Sequence, residues 1–131
     1  REIKPVIPDL VSNTSDFKAM GKWEELNNAV MAYVQDLSEK QGITNLLYQS
    51  YPGVDPSICW MDKEGVFNWM MVKTMKENEE EPSFDQYVIS KLKETGGKGH
   101  LAKVLLSNPN TQGILPRGEG VDIKMEIEDL S

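Results

Sequence analysis

A small α+β domain is the fold class that this sequence predicts, and three observations predict it. Apolar residues recur at spacings of three and four through Phe17, Met20, Trp23, Leu26, Val30, Tyr33, Val34 and Leu37, one face of a helix. Two apolar stretches, residues 58–62 and 66–74, flank an Asp-Lys-Glu-Gly turn, which reads as a β-hairpin. Val121, Ile123, Met125 and Ile127 alternate with Asp122, Lys124, Glu126 and Glu128, the pattern of a strand. A hairpin cannot bury both of its faces alone. The simplest assembly sets the C-terminal strand beside the hairpin and lays the helices on that sheet. The expectation is a hairpin plus a C-terminal strand, packed against two to four helices, the longest covering the inner face.

Each element has a local reason. Pro5 and Pro8 exclude regular helix, so residues 1–15 read as an extended arm and residues 16–131 as one domain. Gly21 weakens the first turns of the long helix, which places its firm start near Lys22; Gly42 is a left-handed terminator. Residues 44–49 read as a short helix with Thr44 as cap, and Pro52, Gly53 and Pro56 make the next stretch a loop. In the hairpin, Gly65 takes the left-handed turn position. Val66, Met70 and Val72 then face one way, and Phe67, Trp69, Met71 and Met75 the other. Ser83 and Gln86 form a capping-box pattern for a helix over residues 84–94 that buries Phe84, Val88 and Leu92. Residues 100–107 read as another short helix, because Ala102, Lys103 and Leu105 are good helix formers and Asn108-Pro109 stops it. The last strand turns one face to a core and the other to water.

Composition narrows the function. The chain has 131 residues, is 39% hydrophobic and 27% charged, and carries a net charge of −7. That charge argues against nucleic acid and anionic membranes as partners, since both recruit Lys and Arg. Cys59 is the one cysteine, so no internal disulfide forms. No apolar run approaches the roughly 20 residues that span a bilayer. A cytoplasmic location is the expectation, with a targeting segment upstream of Arg1 left open.

Candidate chemistry is sparse. His100 is the single histidine and follows Thr-Gly-Gly-Lys-Gly, a flexible setting able to present a base; against that stands the reading as a polar residue opening a short helix, and no catalytic residue is expected. Cys59, between Ile58 and Trp60, reads as a buried structural thiol. The glycine-rich stretches around Lys98 and Arg117 lack P-loop spacing, but form an anion site if the two loops meet. Asp122-Ile123-Lys124 resembles the strand motif of metal-dependent nucleases of the PD-(D/E)XK type. There an acid and a lysine two apart share one strand face, the acid holding a divalent ion and the lysine steadying water or phosphate, with an earlier Asp on a preceding strand. The resemblance spans three residues and implies a hydrolase or nuclease using Asp122, Lys124 and His100; the competing reading is the wet face of an amphipathic strand. The acidic stretch Glu77, Glu79, Glu80 and Glu81 lacks the ligand pattern of a calcium loop, and His/Cys pairs for zinc are missing. No metal and no cofactor are expected.

The hairpin offers the remaining signal. If helices cover one sheet face only, Phe67, Trp69 and Met71, or alternatively Val66, Met70 and Val72, are left exposed, and a patch of that kind marks a partner. The leading expectation is a non-catalytic domain that acts through a protein partner or as a homo-oligomer, with Phe67, Trp69 and Met71 as its interface.

Overall fold

A computed structural model of the chain describes residues 19–111, 115–118 and 120–130; the arm expected over residues 1–15 lies outside them. Helix α1 runs Lys22–Gln35 and continues into a single π-helical stretch, Asp36–Lys40. The strands are β1 Leu46–Tyr48, β2 Ile58–Met61, β3 Phe67–Lys76, β4 Lys98–Ser107 and β5 Asp122–Asp129, with helix α2, Gln86–Lys93, between β3 and β4. They form one mixed sheet in the order β1-β2-β3-β4-β5. All neighbours are antiparallel except β3 and β4, which are parallel. Parallel neighbours need a crossover, and α2 supplies it.

The fold is α+β with a helix on each sheet face. On one face, Leu26, Ala29, Val30, Val34 and Leu37 of the α1 region pack on Met70, Val72, Ala102, Val104 and Leu106. On the other, Phe84, Val88, Ile89 and Leu92 pack on Trp69, Met71 and Leu101. This two-sided cover explains why β3 is apolar on both faces. The turn expected between β2 and β3 forms. Asp62 Oδ1 accepts from the Glu64 and Val66 amides at 3.0 and 2.9 Å. Gly65 adopts φ +81°, the left-handed position that glycine fills without steric cost. Gly42, at φ +71°, closes the α1 region as expected.

Several expectations are corrected. Residues 100–107 are not a helix but most of β4, an interior strand. Leu101, Ala102, Val104 and Leu106 are buried, and they divide between the two core layers. A short, continuously apolar run carries no periodicity that separates buried strand from helix. Residues 44–49 hold no helix either; Leu46–Tyr48 is an edge strand paired to β2. Because β4 occupies the free side of β3, the C-terminal strand pairs with β4 rather than with the hairpin. The result is five strands and two α-helices among the described residues. The second helix starts later than expected, with Asp85 rather than Ser83 as its cap: Asp85 Oδ1 accepts from the Tyr87 and Val88 amides at 2.9 and 3.3 Å. The inward face of β5 is only partly covered, since α1 lies over β3 and β4 and leaves Ile123 and Ile127 exposed. No helix among the described residues is long and apolar enough to cross a membrane.

Candidate functional site

The residues singled out in the sequence do not converge. Trp69 and Met71 are fully buried beneath α2, which removes them from any surface; of the three expected interface residues only Phe67 is exposed. The face expected to lie bare is the face the second helix needs.

His100 is a cross-link between strands. Its ring stacks on Trp60, with centroids 5.2 Å apart. Nδ1 lies 2.6 Å from Asp129 Oδ1 and Nε2 lies 2.7 Å from Asn68 Oδ1. The Asn68 amide nitrogen meanwhile donates to Asp62 Oδ2 and to the Val66 carbonyl. Both imidazole nitrogens thus face acceptor oxygens of the protein's own side chains. Asp122 and Lys124 are remote from His100. His100 pairs with Asp129 in the β4–β5 register and Asp122 pairs with Ser107 at the other end. That is a separation of roughly 23 Å at ordinary strand rise. Strand alternation also puts Asp122 and Lys124 on the face opposite to His100. Among the described residues no three His, Cys, Asp or Glu side chains gather to hold a metal ion.

The two glycine-rich loops do not meet. Lys98 stands at the start of β4 with its ammonium 3.6 Å from Asp62 at the hairpin turn. Arg117 grips Glu24 in the first turn of α1, with contacts of 2.8 and 3.0 Å. The neighbouring Glu25 reaches Lys76 at the far end of β3. Each cation is therefore already matched by a carboxylate, at opposite ends of the sheet. Burial raises the Glu24 carboxyl, but the Gly21 amide and the Arg117 guanidinium outweigh it and hold the group below its ordinary value. Hydrogen bonds, led by the Val66 amide, likewise lower Asp62. Burial pushes the Cys59 thiol up, away from the reactive thiolate.

What the fold does assemble is a cleft of about 150 Å³ where the first half of α1, the segment leading into β2 and the end of β3 meet. Leu26, Val54 and Val72 supply its apolar wall, and Lys22, Asp55, Lys73 and Thr74 its polar groups. Asp55, half-buried, lies 3.3 Å from Lys73 Nζ. Ser57 Oγ in the same wall is buried without a hydrogen-bond partner among the described residues. An acid ahead of one strand beside a lysine on the next is two parts of the three-part nuclease pattern sought at Asp122 and Lys124. The third part is missing: the residue two before Lys73 is Met71, whose side chain is core. Glu25, the buried carboxylate of α1, is occupied by Lys76 at 3.1 Å. Sequence reasoning missed this pairing because the two residues are joined only by the strand register.

A second feature begins beside the cleft, at Val54, and runs along the β1 edge of the sheet. Among the described residues ten large apolar side chains are exposed, and six of them, Leu47, Tyr48, Tyr51, Val54, Met61 and Phe67, fall in residues 47–67. Leu47, on the edge strand β1, is 77% exposed. The register puts Leu47, Cys59, Met61 and Phe67 on the face that α2 covers farther along. The helix ends its cover at Trp69, and the β1 side of that face is open.

Residues 24–130 match the family model described as Domain of unknown function (DUF8840). The chain belongs to that family. No curated protein and no solved structure matches it. The DUF8840 match runs from the first turn of α1 through β5, so Asp55, Lys73 and the apolar β1 edge lie within the family's domain.

Proposed function

We propose that this domain is non-catalytic and acts through protein contact, with the β1 edge as its contact surface. The carrying observation is the concentration of exposed apolar side chains around β1, on an edge strand whose outer backbone groups have no neighbouring strand among the described residues. Aromatic and methionine side chains are enriched at interface centres, and an exposed apolar cluster on an otherwise charged domain marks a contact site. A partner strand laid along β1 gains backbone hydrogen bonds from the edge and side-chain contact from Leu47, Met61 and Phe67. Leu47→Glu and Met61→Glu test this, because both side chains are exposed and the changes are expected to move folding stability by no more than about 0.5 kcal/mol. The expected outcome is an unchanged melting curve together with loss of the proteins retained by the wild-type domain on a column. Retention of the same proteins by both variants contradicts the reading.

A second reading rests on the Asp55–Lys73 pair: metal-dependent phosphodiester hydrolysis in the cleft. With Met71 in the acid position, one carboxylate remains to hold an ion already opposed by an ammonium. The contact reading therefore expects no change in melting temperature on titration with Mn²⁺. A rise that Asp55→Asn abolishes would establish the second reading in its place.

A further inference from the structure

We propose that His100 holds a proton on each ring nitrogen in the folded domain and clasps the end of β5 through it, so that the clasp opens as pH rises. The orientation of Asn68 decides where the first proton sits. The Asn68 side-chain nitrogen lies 3.1 Å from Asp62 Oδ2 and 3.0 Å from the Val66 carbonyl oxygen, two acceptors that need N–H donors. Turned over, the amide would set its own oxygen against both. Asn68 Oδ1 therefore faces His100, and Nε2, 2.7 Å away, donates to it. The other nitrogen, Nδ1, lies 2.6 Å from Asp129 Oδ1. Two lone pairs do not approach that closely, so a proton lies between them. With Nε2 already protonated, the ring is an imidazolium paired with a carboxylate.

The surroundings suit that charge. The ring stacks on Trp60 with planes 18° apart, and an indole face attracts a cation. Beyond Asp129, the charged groups nearby are matched among themselves. Lys98 on β4 lies 3.6 Å from Asp62 in the hairpin turn, and Lys40 lies 3.4 Å from Asp36 in the π-helical stretch. Lys63 of the hairpin lies over Gly42. Tyr33 of α1 tilts against Trp60; burial first, then the charges of Asp36 and Asp129, raises its hydroxyl and keeps it neutral. The Asp129 carboxylate is thus the charge in contact with the ring.

The two contacts differ in exposure. The His100 side chain is 13% exposed and that of Asp129 is 70% exposed. A ring that sheds one proton keeps Nε2–H on Asn68, whose oxygen is fixed, and turns a bare Nδ1 toward the carboxylate. Asp129 then turns to water, and the Leu130 amide on the Gly99 carbonyl, at 2.9 Å, holds the end of β5 without it. In the unfolded chain a histidine sheds its second proton near about pH 6.5. Above that pH the folded domain holds one proton more than the unfolded chain. The stability that the clasp contributes is therefore whole below about pH 6.5 and is lost as pH rises, until the folded ring sheds the proton too.

The test joins NMR to urea unfolding on the whole chain. His100 is the chain's one histidine, so every imidazole signal belongs to it. In isotope-labelled protein at about pH 7, wild type is expected to show both ring nitrogens protonated, and Asp129→Asn to show one protonated and one bare. From about pH 6 to about pH 8 the folding constant of wild type is expected to fall at least about threefold further than that of Asp129→Asn. Glu128→Gln makes the same change of charge one residue earlier, on the opposite face of β5, and is expected to match wild type in both readings. Glu128 and Asp129 are both exposed, so each variant keeps the fold. A bare ring nitrogen in wild type at about pH 7 overturns the proposal. So does a second ring proton that survives Asp129→Asn, a pH dependence that Asp129→Asn leaves unchanged, or one that Asp129→Asn and Glu128→Gln alter alike.

Discussion

Trp69→Ala is expected to lower the unfolding free energy by roughly 3–5 kcal/mol, the cost of emptying a large buried aromatic site. Trp69 is wholly buried between β3 and α2, in a layer with Met71, Ile89 and Leu101. Removing the indole deprives α2 of its main counter-surface, so the loss falls on the helix that makes the β3–β4 crossover. The indole N–H has no hydrogen-bond partner among the described residues, so the side chain contributes through packing alone. Urea unfolding checks the value. An interface tryptophan behaves otherwise: its removal leaves the denaturation midpoint nearly unchanged and alters association instead. The two roles separate on one curve, and a midpoint within error of wild type would return Trp69 to the surface.

Gly99→Ala is expected to destabilise by about 1–3 kcal/mol through overpacking. A Cβ at Gly99 would lie 2.3 Å from Cζ2 of Trp69 and 2.6 Å from its Cη2, closer than carbon atoms approach. Relief requires the ring to move in a packed layer. At Gly97 the obstruction is backbone, with the Phe67 carbonyl oxygen 2.5 Å from the position a Cβ would take. Of the Thr-Gly-Gly-Lys-Gly stretch, which the sequence offers as a flexible loop, Gly97 is thus pressed against β3 and Lys98 and Gly99 begin strand β4. Because the clash at Gly99 is with the Trp69 ring, the two substitutions couple. Gly99→Ala is expected to cost less in the Trp69→Ala background, where the ring is gone, and thermal or urea unfolding of the double-mutant cycle measures the difference. Equal cost in both backgrounds would mean that Gly99 acts through chain flexibility rather than through the ring.

How much of this was legible in the sequence depends on how local each cause is. The α1 helix, the Asp62–Gly65 turn and the β5 alternation carry their causes within a few residues: a repeat of three and four, a turn glycine, a period of two. The β4 strand does not. His100 through Ser107 satisfies helix propensity as well as strand burial, and only β3 on one side and β5 on the other decide it. Leu46–Tyr48 is a strand because β2 lies beside it. The same limit governs the sites. Trp69 and Met71 were recognisable as apolar on one face, but whether that face met water depended on where α2 settles after its crossover. Asp55 and Lys73 are eighteen residues apart and meet through the β2–β3 pairing, so no motif joins them in the chain. Phe67, the expected interface residue that is exposed, lies where α2 no longer reaches.

The most direct measurement compares Leu47→Glu with Asp55→Asn in one assay, scoring the proteins each retains against the wild-type domain at equal folded concentration. A contact domain working through β1 loses them with Leu47→Glu and keeps them with Asp55→Asn. The reverse pattern, loss at Asp55 and retention at Leu47, would place the function in the cleft and contradict the β1 edge as the working surface.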